Sequence, residues 1–175
     1  MTICLFRTDT TDLFAEGKHP RMMRLQAELW SAALRPVAAM DLLIRPDGWV
    51  PNAGASATHG ITVRQCELYG TRCTAALAVF MDMVRSAGEL VSWPMDFHAG
   101  VVNIELRRLG ARPDDWTRGG LVRTCLQREA SERWNSGKRL KIDQAMTLAH
   151  DGQVADKMEM QRKILWSLRS GRPDF

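Results

Sequence analysis

The stretch from Thr62 to Ser86 constrains the fold of this chain more than any other part of the sequence. Thr62 and Gln65 have the spacing of a capping box, in which both side chains satisfy backbone amides at the start of a helix. Small or apolar residues then recur at alternating intervals of three and four, as on one helical face. These residues are Val63, Cys66, Gly70, Cys73, Leu77, Phe80 and Val84. The other faces between Thr74 and Met83 are also mostly apolar, which is typical of a central helix, and we predict one helix over residues 62–86.

The rest of the chain gives mostly helical patterns and few strand patterns. Apolar residues at helical spacing, with proline or glycine at the ends, predict further helices over residues 20–34, 93–110, 121–134, 143–149 and 154–171. Residues 2–7 favour a short strand, and the turn signal at 46–48 favours a hairpin with Trp49 and Val50 on its returning strand. The small residues of segment 51–60 predict a loop. The sequence therefore predicts a mainly α protein: a single compact helical domain, 1–175, with a minor strand or hairpin element in its N-terminal 50 residues.

Positive charge is concentrated in one part of the chain. The whole sequence has a formal net charge of only +4, which is too small to attract nucleic acid by itself. Residues 105–141, however, contain ten basic side chains and five acidic ones. Five residues near the junction of two predicted helices carry the densest positive charge, with Trp116 among them. They are Arg107, Arg108, Arg112, Arg118 and Arg123.

This arginine cluster carries the first functional hypothesis. Guanidinium groups beside an aromatic ring can bind phosphate and stack on a base. We therefore expect a small non-enzymatic regulatory protein whose Arg-rich surface, about residues 107–141, engages nucleic acid or the acidic face of a protein that handles nucleic acid. This hypothesis assigns no catalytic residue.

A second hypothesis is a small hydrolase-like enzyme that uses segment 51–60. The amides at the start of the following helix form a natural anion site, because the helix dipole places positive charge there. Ser56, His59, Thr62 and Arg64 lie at this position in the sequence. The hypothesis uses His59 together with His98 and requires at least two of its polar groups to converge within hydrogen-bonding reach in one pocket.

A third hypothesis is a protein-binding inhibitor or adaptor whose tryptophans anchor a partner. Six tryptophans are many for a chain of this length. No hypothesis includes a cofactor or a metal ion, since no CxxC or HxxxH motif occurs and Cys66 and Cys73 belong to the apolar stripe. The charged N-terminal residues and the short apolar runs favour a cytoplasmic protein without a membrane segment.

Overall fold

A mixed five-stranded sheet forms the centre of the structure. The computed structural model describes residues 1–112, 116, 119–149, 154 and 156–170. The strands are β1 (Ile3–Thr10), β2 (Met22–Trp30), β3 (Pro36–Leu43), β4 (Glu89–Ser92) and β5 (Val122–Cys125), and their order in the sheet is β3-β2-β1-β4-β5. β2 runs antiparallel to both β1 and β3, whereas β4 runs parallel to both β1 and β5.

Seven helices are assigned within the described residues. They are α1 (Ala53–His59), α2 (Val63–Tyr69), α3 (Cys73–Arg85), α4 (Met95–Arg108), α5 (Leu126–Trp134), α6 (Ile142–Ala149) and α7 (Lys157–Ser170).

The two faces of β1 are covered by different helices, so every residue of this strand is buried. Cys4 and Phe6 face one apolar cluster, which also contains residues of α3 and α4. Ile3 and Leu5 face a second cluster, which contains residues of α5, α6 and α7. Because side chains alternate along a strand, Thr8 continues the first face and Arg7 continues the second. The polar carboxyl-terminal half of β1 therefore lies between two helical layers.

The prediction of a mainly α fold is wrong, and β2 shows why. The three-four spacing of Met22, Leu25 and Leu29 predicts a helix over 20–34, yet Met22–Trp30 is a strand paired on both sides. A strand with both faces covered has apolar residues at odd and even positions, so its sequence contains helical spacings by chance. Val122–Cys125 was likewise included in a predicted helix and is the edge strand β5.

The predicted helix over 62–86 begins as expected but is two helices. The capping box between Thr62 and Gln65 is confirmed. The helix ends at Gly70, whose φ of −71° and ψ of 140° are extended. The Thr71 amide then donates to the Leu43 carbonyl (2.7 Å), and the Arg45 amide donates to the Thr71 carbonyl (2.9 Å). These bonds to the end of β3 replace the helical bonds that an uninterrupted helix would form.

Two further predictions about the N-terminal half are also wrong. Segment 51–60 is not a loop, since it contains α1, and the Asn52 side chain caps this helix by accepting from the Ala55 amide (2.6 Å). The hairpin partner of β3 is β2 rather than Trp49 and Val50, which belong to no strand. Trp49 instead packs in a small buried cluster with Met23, Ile61 and Cys66.

Candidate functional site

A cleft opens where β1 and β4 end. These strands are parallel, so their carboxyl ends reach the same edge of the sheet, the usual position of ligand sites in sheets with parallel strands. The cleft has a volume of about 630 Å³, within the range of roughly 300–1,000 Å³ that is common for small-molecule sites. Residues of β1, α1, α4, α6 and α7 line it, together with Arg139 and other residues of the connecting segments.

His98 lies on the α4 side of the cleft and is held by hydrogen bonds at both ring nitrogens. Its Nδ1 accepts from the Thr8 amide (3.0 Å) and lies 2.9 Å from the Thr8 hydroxyl. Its Nε2 donates to the Trp93 carbonyl (2.7 Å). Burial, together with the positive charges of Arg7 and Lys157, lowers the pKa of His98 to about 3. His98 is thus a neutral residue that joins α4 to β1, with no nitrogen left for a ligand.

Arg7 and Asp9 form a buried ion pair on the opposite face of β1. Their side chains lie on the same face because they are two residues apart in a strand. Arg7 donates to both carboxylate oxygens of Asp9, at 2.5 and 3.2 Å, and to Gln26 Oε1 at 2.9 Å. A second guanidinium is also near, with Arg24 Nη1 4.0 Å from Asp9 Oδ2. The charge of Asp9 is therefore compensated by its neighbours.

Apolar side chains form another part of the cleft wall. Leu13, Trp93 and Phe97 all line the cleft, and Phe97 packs edge-on against both Phe14 and His98, with ring centroids at 5.4 and 5.2 Å. Leu13 is 70% exposed. A half-open aromatic and aliphatic wall of this kind suits a flat ring system such as a nucleobase.

Arg139 and Lys157 bring positive charge to the cleft. Arg139 is exposed and precedes α6, whereas Lys157 is the first residue of α7 and is partly buried. Neither forms an ion pair with a carboxylate of the described residues. The remaining charged residue, Asp12, accepts from the Leu13 amide with Oδ1. With Arg7 and Asp9 paired, the described lining carries two cations and one carboxylate.

The segment 51–60 hypothesis is met only in part. His59 and His98 both line the cleft, but no hydrogen bond joins these two residues. The His59 ring, however, accepts from the Ile61 amide at Nδ1 (3.0 Å) and donates to the Thr10 carbonyl from Nε2 (3.2 Å). Ser56, Thr62 and Arg64 do not line the cleft, and Thr62 is occupied as the cap of α2.

The predicted arginine cluster lies away from this cleft. Its described arginines are exposed: Arg107 and Arg108 on the last turn of α4, Arg112 after it and Arg123 on β5. Arg118 lies outside the described residues. None of the four described arginines lines the cleft, so the cluster and the cleft are separate surfaces.

Trp116 does not present a ring to solvent. It is 8% exposed and packs against Phe6 and Phe80, with ring centroids at 6.0 and 5.6 Å. Its indole nitrogen donates to Asn103 Oδ1 (2.7 Å). Trp116 is predicted to stack on a base, but its buried ring has no face open to a ligand. The adaptor hypothesis requires exposed tryptophans that could anchor a partner, and none of the six tryptophans is exposed.

Sequence reasoning missed Arg7, Asp9 and Lys157. A signal for the first two was present in the stretch Ile3–Thr10, where an apolar strand turns polar at its carboxyl end. Polar residues at that end of a buried strand are typical of sites at a sheet edge. Lys157 had no local signal, since only the tertiary fold brings the start of α7 to β1.

The fold has solved counterparts, although no sequence relative was found. No protein family profile matches the chain, and no curated protein matches it. Exonuclease I of E. coli in complex with a 5cy-dA13 oligonucleotide superposes with a TM-score of 0.78 at 14% sequence identity. The moderately thermophilic exonuclease I of Methylocaldum szegediense gives 0.78 at 15% identity, and the ExoI/SSB-Ct complex gives 0.77 at 15%.

The chain has the fold of exonuclease I. Each of these superpositions covers 98% of the chain, so all of its elements take part in the likeness. The chain spans only about two fifths of its counterparts, 41% of the first two and 42% of the third. The fold is α/β, which corrects the predicted helical class.

This likeness also corrects the predicted function. Charge distribution predicts a non-enzymatic regulatory protein acting through residues 107–141, whereas the exonuclease I structures that share this fold are structures of enzymes. As to membranes, no helix among the described residues is both long and apolar enough to cross a bilayer.

Proposed function

We propose that this chain acts on nucleic acid and takes the end of a single strand into the cleft at the ends of β1 and β4. The observation that carries this proposal is the composition of the cleft, in which the apolar wall of Leu13, Trp93 and Phe97 faces the same cavity as Arg139 and Lys157. A nucleobase needs the first surface and a phosphate the second.

Two further observations support the proposal. A cavity of about 630 Å³ accommodates a ligand of nucleotide size rather than a length of duplex. Proteins with this fold have been solved with a 5cy-dA13 and with a dT13 oligonucleotide, so the fold can carry single-stranded DNA.

The cleft does not fit the metal chemistry that many nucleases use. Two-metal hydrolysis needs several carboxylate oxygens around ions about 4 Å apart. In the cleft, both oxygens of Asp9 accept from Arg7, and Asp12 is the other carboxylate of the described lining. No group of three metal-ligating side chains occurs within the part of the chain that the structure describes. A hydrolytic step of that kind would need more carboxylates than these residues supply.

The proposal is tested by binding a short oligothymidylate that carries fluorescein at its 5′ end, with fluorescence anisotropy as the readout. Phe97→Ala removes part of the apolar wall, and we expect it to weaken binding roughly tenfold, since stacking on an aromatic ring contributes about 1–3 kcal/mol per base. Tyr69→Ala is the matched control, because Tyr69 is 74% exposed and does not line the cleft. We expect the control to bind as tightly as the unmodified protein.

The requirement for an end is tested separately with a circular strand of the same composition. A circle has no terminus to enter the cleft, so we expect it to compete poorly with the linear strand. The proposal is overturned by the absence of binding, by equal effects of the Phe97 and Tyr69 variants, or by equal competition from circle and linear strand.

A further inference from the structure

We propose that the cleft holds the phosphate of its ligand directly with Arg139 and Lys157, without a divalent metal ion between protein and phosphate. This inference rests on the proposed function and gives the cleft a specific way of recognising the ligand. Two observations support it. The side chains that could bind a metal ion already have hydrogen-bond partners within the protein, and two cations of the cleft have no described carboxylate partner.

The candidate metal ligands around β1 are already engaged. Asp9 is 6% exposed, and the side chain of Arg7 occupies both of its oxygens. A metal ion at Asp9 would have to displace a guanidinium that also donates to Gln26, leaving a buried positive charge unpaired. The cost of that displacement makes Asp9 a poor metal ligand.

On the other face of β1, His98 is also engaged, through hydrogen bonds to Thr8 and Trp93. A metal-binding histidine needs one ring nitrogen free, and both nitrogens of His98 have backbone partners. Asp12 alone remains on the described lining, its Oδ1 already accepts from the Leu13 amide, and one carboxylate is fewer than a two-metal site requires.

The two cations of the cleft, unlike these candidate metal ligands, have no described carboxylate partner. Arg139 and Lys157 line the cleft without a described carboxylate partner, so their donors are available to an anion. Arg7 is paired with Asp9, so the unpaired positive charge of the described lining comes from Arg139 and Lys157. A positive field attracts phosphate and repels a divalent cation, so the same two residues favour direct contact and oppose the metal.

The test measures binding of the labelled oligothymidylate in EDTA and, separately, in MgCl₂ and MnCl₂, using Arg139→Gln and Lys157→Gln. We expect the unmodified protein to bind equally well in all three solutions. Each variant should bind roughly tenfold more weakly, because it removes a hydrogen bond between a charged donor and the phosphate; a tenfold loss corresponds to about 1.4 kcal/mol. Each should also lower the slope of log K against log salt by about 0.7, the value for one phosphate contact on a single strand.

Lys141→Gln is the matched control. Lys141 is exposed and only two residues from Arg139, but it does not line the cleft. It removes the same charge from the same segment, so any effect of overall charge alone would appear in it. Far-UV circular dichroism and urea unfolding confirm that the three variants fold.

The outcomes separate this inference from the proposed function. Binding that disappears in EDTA, or that Arg139→Gln and Lys157→Gln leave unchanged while Phe97→Ala weakens it, overturns the inference and leaves the proposed function standing. Absence of oligonucleotide binding in every solution overturns both. Equal binding with and without metal, together with selective weakening by the two cation variants, establishes direct phosphate contact.

Discussion

The buried imidazole of His98 predicts a specific loss of stability in mild acid. In the folded protein, burial and then the nearby charge of Arg7 lower its pKa to about 3, whereas an ordinary histidine in the unfolded chain has a pKa of about 6.5. As pH falls below about 6.5, the unfolded state takes up a proton at this residue and the folded state does not. The unfolded state is therefore favoured, and the effect grows until the pH approaches the folded pKa.

The magnitude follows from the difference between the two states. Each pH unit below the unfolded pKa costs about 1.4 kcal/mol as long as the folded state stays unprotonated. Between about pH 7 and pH 5, His98 is thus expected to remove roughly 2 kcal/mol from the free energy of unfolding. For a domain of ordinary stability this is a sizeable fraction of the total.

The measurement is urea unfolding at about pH 7 and pH 5, followed by tryptophan fluorescence, for the unmodified protein and His98→Gln. The glutamine amide can still donate toward the Trp93 carbonyl but has no titrating group. It also leaves the Thr8 amide without its acceptor, so we expect the variant to be less stable at both pH values. Its loss of stability between the two pH values should nevertheless be smaller by roughly 2 kcal/mol.

His19→Gln is the control for this comparison, since His19 is exposed. It should keep the pH dependence of the unmodified protein. The reasoning is refuted if His98→Gln and the unmodified protein lose the same stability between the two pH values. It is also refuted if nuclear magnetic resonance shows the His98 ring of the folded protein titrating near its ordinary pKa.

Three further predictions concern packing and thiol chemistry. Gly70→Ala should destabilise the protein by about 1–3 kcal/mol or more in urea unfolding, because a Cβ there would lie 2.1 Å from the Cys66 carbonyl and 2.6 Å from the Arg45 amide. Gly54→Ala, within α1, should leave stability unchanged or raise it by up to about 1 kcal/mol, and the opposite order of the two variants would contradict the close approach at Gly70. Phe80→Ala should cost about 3–5 kcal/mol in thermal or urea unfolding, since the ring is fully buried between Phe6 and Trp116; a cost under about 1 kcal/mol would contradict that packing. Desolvation raises the pKa of three thiols, so we expect iodoacetamide to modify them slowly in the native protein and readily after unfolding, as read by peptide mass spectrometry. Rapid modification in the native protein would contradict the raised pKa values. These thiols are Cys4 (pKa about 12), Cys66 (about 11) and Cys73 (about 12).

Local signals predicted the features that depend on neighbouring residues. The capping box of Thr62 and Gln65 is present as expected, because its two hydrogen bonds join residues three apart. The start of β1 and the position of α4 were also close to their predicted places, since β1 begins with a short apolar and β-branched run and α4 has a helical pattern between Pro94 and Gly110. Signals of this kind need no information from distant parts of the chain.

Features that depend on distant residues could not be obtained in this way. β2 has the apolar spacing of a helix and becomes a strand because β1 and β3 pair with both of its edges. Trp116 follows a run of charges typical of a surface, yet Phe6 and Phe80 enclose it in the core. In both cases the energy of long-range packing exceeds the local preference, which is worth about 1 kcal/mol or less per residue.

The sequence by itself determined the capped start of α2, the apolar segments and the charge of each stretch, because these are properties of residues a few positions apart. The tertiary structure alone decided that the ends of β1 and β4, the ring of Phe97 and the charges of Arg139 and Lys157 share one cleft. Arg139 and Lys157 lie over 40 residues beyond Phe97 in the chain. A local sequence pattern cannot show that residues so far apart in the chain lie together, because the sheet order and the covering helices bring them together only when the whole chain folds.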